Sequence, residues 1–170
     1  AMAQYLGFPG DFEAVEALAA WGEPTFLNAM RNVFAADSDG WPRLDLSWCV
    51  WQRPDTIAFS GKFLRRFGPA RASWEALDAR HAHVAASAQA LLEERVLATV
   101  SAARTQTGAE VLCLTGGLAE NASLVGRLLR ENPLGDIHLP FAPGARGAAL
   151  GAALHIASAG GLPRAFEDTG

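Results

Sequence analysis

Cysteine is scarce: the 170 residues hold two, Cys49 and Cys113, far apart and without CxxC spacing. That count argues against a disulfide framework or a cysteine-based metal site. Cys113, inside the apolar run "EVLCL", reads as a small hydrophobe. Long hydrophobic runs are missing too. Nothing approaches the roughly 18–20 apolar residues that span a bilayer, and the start lacks the basic, apolar, small-residue order of a secretory signal. The expectation is a cytoplasmic protein that does not enter a membrane. Positive charge is in deficit, with 14 Lys and Arg against 18 Asp and Glu and a net charge of −4. Nucleic-acid binding is disfavoured, because its footprint is clustered cations that neutralise phosphates. No Gly-x-Ser-x-Gly elbow and no HExxH occur. His81 and His83 stand two apart on a predicted helix and face nearly opposite sides, so they cannot share a metal. His138 in a strand and His155 in a helix lack acidic or cysteine partners at ligand spacing and read as structural.

What is present is a globular composition, 50% hydrophobic and 19% charged, enough for a single domain over residues 1–170. A helical part occupies residues 10–108. Asp11 caps a short helix that Gly22 stops, and a second helix runs from Pro24 to Ala36. A loop with one short strand near Leu44 to Trp51 follows. The longest helical signal starts at Asp78, carries Val84, Ala88, Leu92, Val96 and Val100 at i+4 with Leu91 beside them, and closes at Gly108 after about eight turns. A βαβα unit fills residues 110–160: "EVLCLTGG" as a buried parallel-type strand, a helix over 119–131 stopped by Asn132-Pro133, "DIHLPFAP" as a second strand, and "ARGAALGAALHIASAGG" as a last helix.

Chemistry concentrates at the two glycine turns that follow these strands. In "LTGGLAEN", Gly116 and Gly117 sit where a strand hands over to a helix, so backbone N–H groups and the positive helix end can face a phosphate; packing is the plainer use of such a turn. Asn121 either bonds a ligand or caps the backbone. In "PGARGAALGAALH", Gly147 and Gly151 stand one helical turn apart and predict close packing of that helix.

Taken in order, "HAHVAASAQALLEERVL", "VLCLTGGLAENASLVGRLLRE" and "IHLPFAPGARGAALGAAL" resemble the O-carbamoyltransferases of antibiotic and nodulation-factor biosynthesis. The likeness runs through residues 4–155 and falls on the C-terminal part of their Kae1-like domain, a member of the actin-like ATPase superfamily. The fold it implies is α/β, a helix-rich partial actin-like (RNase H-like) lobe with a small parallel sheet. The activity it implies is ATP-dependent transfer of a carbamoyl group from carbamoyl phosphate, through an adenylate, to a small-molecule hydroxyl. By the same resemblance Gly116, Gly117 and Asn121 fall on the nucleotide-contacting turn. The opening "PGDFEAVEALA", with Asp11 and Glu16, resembles the adenosine-side loop, and Glu16 lands on the acidic residue expected to hold ribose hydroxyls. ATP is the implied cofactor.

The departures shape the remaining expectations. The family's Gly-Asp-x-Gly reads Gly144-Ala145-Arg146-Gly147 here, and alanine cannot ligate the iron expected in the family. The His-x-x-x-His pair and the YrdC-like domain have no counterpart among these residues, so neither bound metal nor catalysis by the chain alone is expected. Two parallel strands also make a poor sheet. Val111, Leu112, Leu114, Ile137, Leu139 and Phe141 therefore imply a homo- or hetero-oligomer, with a carbamoyltransferase subunit supplying the missing half. The alternative is a degenerate homo-oligomeric domain that binds a nucleotide or small ligand without turnover.

Overall fold

The computed structural model describes residues 1–37, 40–50, 58–131 and 135–160. The chain opens with α1 (Met2–Tyr5) and α2 (Phe12–Ala19), whose first turn is capped by Asp11 accepting from the Ala14 N–H at 2.8 Å. Gly22 does not act as the helix stop. α2 ends in right-handed geometry at Ala20, and Gly22 instead lets the chain lie against the next layer, since a Cβ there would fall on the backbone of Ala82. The helix expected over Pro24–Ala36 is helical only at α3 (Leu27–Met30). Phe34–Ala36 is strand β1, paired antiparallel with β2 (Pro42–Leu44) in the register Phe34↔Leu44. A tertiary pairing overrides the helical pattern here. Asp37 and Trp41 close the hairpin, with the Asp37 N–H donating to the Trp41 carbonyl and the Asp37 carboxylate accepting from the Trp41 N–H.

In place of the strand expected near Leu44 to Trp51, a 3-10 turn covers Leu46–Trp48, and Cys49 makes one isolated bridge to Phe59; Trp51 lies outside the described residues. Helix α4 (Gly61–Phe67) was not expected. Phe59, Phe63 and Phe67 recur at i+4, a spacing that signals one helix face. Phe63 and Phe67 are almost fully buried, and Phe63 meets Tyr5 edge-on at 5.2 Å. The Tyr5 hydroxyl donates to the Phe67 carbonyl at 3.0 Å, which satisfies its polar end inside this aromatic cluster.

The long helix forms as its sequence predicts. α5 spans Ala79–Thr107, 29 residues, with Asp78 and His81 in a reciprocal capping box and Gly108 left-handed at the end (φ +70°). Its stripe differs in detail from the i+4 series: Val84, Leu91 and Val100 are buried, whereas Ala88, Leu92 and Val96 are half-buried. α5 runs through two cores. One gathers Tyr5, Leu6, Met30, Trp48, Phe63, Phe67, Val84 and Leu91. The other is Val100 with Leu124 and Leu128 of α6 (Ala122–Glu131), flanked by Leu112, Leu114 and Ile137.

The second core covers one face of a two-stranded parallel sheet, β3 (Val111–Cys113) with β4 (Asp136–His138), in the register Leu112↔Ile137. The parallel pairing matches expectation, but burial does not. Val111 is 57% exposed and Cys113 is exposed, because α5 and α6 cover a single face. Helix α7 (Gly147–Ala159) buries none of its residues. A Cβ on Gly147 would strike the Ala142 carbonyl, while one on Gly151 would meet nothing, so the close packing expected at both glycines holds only at the first. The helix stop at Asn132-Pro133 lies outside the described residues. His138 and His155 have exposed side chains, though the His138 backbone belongs to β4 and its carbonyl accepts from the Leu114 N–H at 3.1 Å; His81 is buried in the cap, and His83 Nδ1 accepts from the Glu23 N–H at 2.9 Å.

The cap at His81 makes stability pH-dependent. Burial, with the Arg80 guanidinium alongside, holds the His81 pKa below its ordinary 6.5, and Arg71, Glu75 and Asp78 complete its charged surroundings. The unfolded chain then binds this proton more readily than the folded one, so His81 makes the fold less stable as pH falls below about 6.5. Asp78, held below the usual carboxylate value chiefly by the His81 backbone N–H, acts in the same direction only below about 3.8. Denaturant midpoints should be level between about pH 7 and 9 and decline between 6.5 and 5. His81→Gln should flatten that interval, and a wild-type slope in the variant would assign the dependence elsewhere.

Candidate functional site

The two strand-ending turns lie side by side at the C-terminal end of the parallel pair, the end at which open α/β sheets receive ligands. Gly116 donates its N–H to the Pro143 carbonyl at 2.7 Å, and the Thr115 hydroxyl donates to the same oxygen at 3.0 Å. The Glu120 carboxylate sits where a Cβ on Gly144 would be. Gly116 is required by backbone shape, its φ being +82°. Gly117 opens the 3-10 turn Gly117–Glu120, and a Cβ added to either glycine would meet no atom within 4 Å. Packing therefore does not account for the pair.

The space over Gly117 belongs to a cleft of about 730 Å³. Its walls come from two distant segments: Gly10, Asp11, Phe12, Glu13 and Glu16 on one side, Gly117, Leu118, Glu120 and Asn121 on the other, with Leu92 of α5 at the back. Four of the five residues singled out in the sequence, Asp11, Glu16, Gly117 and Asn121, line this one cleft, and Gly116 adjoins it. The starts of α2 and α6 both open into it, so two positive helix ends partly offset four carboxylates.

Three of the five polar side chains here already hold backbone. Asp11 caps α2. Glu16 accepts from the Ser123 N–H at 3.0 Å, spanning the cleft to the first turn of α6. Asn121 Oδ1 accepts from the Leu124 N–H at 2.8 Å and so caps α6, the second of the two uses its sequence position allows. Its amide also pairs with Gln89, each donating to the other at 2.9 and 3.0 Å. Gln89 belongs to the "HAHVAASAQ" stretch but was not singled out from sequence; only the fold brings it to Asn121. What is left for a ligand is the second oxygens of Asp11 and Glu16, the carboxylates of Glu13 and Glu120, the first-turn N–H of Gly117, and the apolar surfaces of Phe12, Leu92 and Leu118.

Residues 1–154 match the family model of the carbamoyltransferase N-terminus. The chain belongs to that family. An uncharacterized protein of Synechocystis sp., sll1178, is 35% identical over 161 residues, which are 92% of this chain and 26% of that protein. The nodulation protein NolO of Bradyrhizobium diazoefficiens is 42% identical over 88 residues, 52% of this chain and 16% of NolO. The chain spans about a quarter or less of the length of these curated relatives.

Iron, which carbamoyltransferase resemblance implies, is not matched by the donors present. Ala145 offers a methyl group at the position where the resemblance expects a ligating carboxylate, and among the described residues no three His, Cys, Asp or Glu side chains converge closely enough to hold a metal ion. No helix among the described residues is long and apolar enough to cross a membrane.

The two glycines should part company on substitution. Gly117→Ala meets no atom and no forbidden φ, so the folded chain should keep its stability within about 0.5 kcal/mol. Gly116→Ala forces a side chain into left-handed backbone and should cost about 1–2 kcal/mol. Equilibrium unfolding in urea compares them; equal losses would mean that packing, not open space, surrounds Gly117.

Proposed function

We propose that this chain is the nucleotide-facing lobe of an O-carbamoyltransferase that uses ATP and carbamoyl phosphate to modify a small-molecule hydroxyl, and that alone it binds without turning over. Within that enzyme we read it as the C-terminal part of the Kae1-like, actin-like domain. The observation that carries this reading is the meeting of two sequence-distant motifs, "PGDFEAVE" and "LTGGLAEN", across one cleft. Membership of the carbamoyltransferase N-terminal family supports the chemical class.

The cleft's charge pattern directs how ATP would enter. Asp11, Glu13, Glu16 and Glu120 line it and no Lys or Arg does, so a polyphosphate buried there would be repelled, whereas ribose hydroxyls are good donors to the free carboxylate oxygens. The nucleoside belongs against Phe12, Leu92 and Leu118. The phosphates belong at the Gly116-Gly117 turn and beyond it, where Arg146 shares a recess with Glu120, Phe141, Pro143 and Leu150. Ligand binding without turnover by a homo-oligomer is the second reading. Ala145 favours the absence of turnover under both, since charge stabilisation at the reacting centre supplies a large part of catalysis.

Titration calorimetry with adenosine and with MgATP tests the site. Both should bind the chain, and Gly117→Ala, which spares the fold, should weaken MgATP at least tenfold by filling the approach to the turn. Carbamoyl phosphate, ATP and a hydroxyl acceptor should yield no carbamoylated product with the chain alone. Absence of binding, or turnover, would overturn the reading.

A partner supplying the rest of the lobe is part of the same proposal. Helix α7, whose only titratable residue is His155, leaves Leu150, Leu154 and Ile156 exposed, and β3 leaves Val111 exposed. Each large apolar side chain left in water forgoes about 1.5–3 kcal/mol of burial. Sedimentation at micromolar concentration should show a dimer or larger species for the chain on its own, or a complex when further carbamoyltransferase polypeptide is added. A compact monomer that melts cooperatively and takes no partner would remove this part.

A further inference from the structure

We propose that Gln89 is the positioning residue of the cleft: its side-chain amide, locked against Asn121, sets the Gly117–Glu120 turn at the height a ligand needs, without Gln89 itself entering the cleft. The proposal rests on the nucleotide reading for its ligand, though not for its geometry.

Asn121 is the joint between two elements. It ends the 3-10 turn, its N–H donating to the Leu118 carbonyl at 3.3 Å, and starts α6 by capping Leu124. Whatever orients Asn121 therefore orients the turn over which the cleft opens. The partner that does so sits on α5, the most extended element, one turn before the cleft-lining Leu92.

The network has only one polarity. Gln89 Nε2 donates at 2.8 Å to Glu93 Oε1, and a carboxylate can only accept, so this end of the Gln89 amide must be nitrogen. Glu93 is held in turn by Arg127 of α6 at 3.3 Å. At the other end the Leu124 N–H can only donate, so the group facing it must be Asn121 Oδ1. Between these two fixed ends the amides of Gln89 and Asn121 interlock with one donor and one acceptor each way. Both Gln89 Nε2 hydrogens are spent, on Glu93 and on Asn121. No other side chain of similar size offers two donors and an acceptor in this plane. A half-satisfied version would leave the Asn121 amide held at Leu124 alone, and the turn less firmly set.

The test uses the full chain with adenosine and MgATP as probes, together with amide hydrogen exchange over residues 117–124. Gln89→Met keeps the volume and removes the bonds. It should bind both probes about tenfold more weakly, the loss of one or two hydrogen bonds' worth of positioning, while exchange quickens in 117–124 and not in the first half of α5. Gln89→Glu gives an independent readout. Ionised, it has nothing to donate to Glu93 or Asn121, and protonated it regains one donor, so its affinity should recover as pH falls from 7 to 5, relative to wild type over the same range. If wild type binds neither probe, the nucleotide reading fails and exchange alone decides the clasp. Unchanged exchange over 117–124 in a folded Gln89→Met, or quickening equally spread through the chain, overturns the proposal. So does Gln89→Glu binding that tracks wild type at every pH.

Discussion

One helix has to serve two cores. α5 is buried on most sides in its first turns, where α2, α3 and the aromatic cluster close on it, and on one side only near Val100, where α6 and the sheet rest. Because a continuous hydrogen-bonded helix transmits orientation along its length, the helical part and the βαβα unit are held in register by a single rod. The cleft depends on that rod. Its two walls belong to α2 and to the turn before α6, and both are set against α5: α2 through the bare backbone contact at Gly22, the turn through the Gln89–Asn121 amides.

The polar groups of the cleft show how such a site is kept open. Helix starts need acceptors for their first N–H groups, and here the acceptors come from across the cleft or from beneath it. Glu16 reaches over to Ser123 and Asn121 turns back to Leu124. These contacts hold the walls apart at a fixed distance while leaving each carboxylate a second oxygen. The side chains proposed to meet the ligand thus also serve as caps and tethers.

The uneven burial follows from the same plan. The aromatic core is closed, whereas the parallel pair is covered on one face and α7 on none. A helix apolar on all sides is ordinarily an interior helix, and a parallel sheet is ordinarily covered on both faces. These surfaces have the character of interior, and the carbamoyltransferase N-terminal relatives are several times longer than the matched segment.

By itself the sequence determined the features that local chemistry controls. Asp11 and Asp78 cap helices because a short carboxylate folds back on the first turn whatever surrounds it, and Gly108 ends α5 because only glycine takes left-handed geometry cheaply. The motif order of the βαβα unit also carried through, since strand, glycine turn and helix alternate within a few residues. Tertiary structure decided the rest. Phe34–Ala36 left the helical pattern to pair with Pro42–Leu44, and the i+4 phenylalanines of α4 acquired meaning only against Tyr5 and Trp48. Gly22 reads as a stop until the backbone of Ala82 is beside it. The cleft divides in the same way: the family pattern marked Gly116, Gly117, Asn121, Asp11 and Glu16 and implied that they meet around one nucleotide, but the contacts that join its walls were not legible. Glu16 and Ser123 lie 107 positions apart, as Gln89 and Asn121 lie 32 apart. Contacts over such separations depend on how helices pack, and packing is a property of the whole chain rather than of any stretch of it.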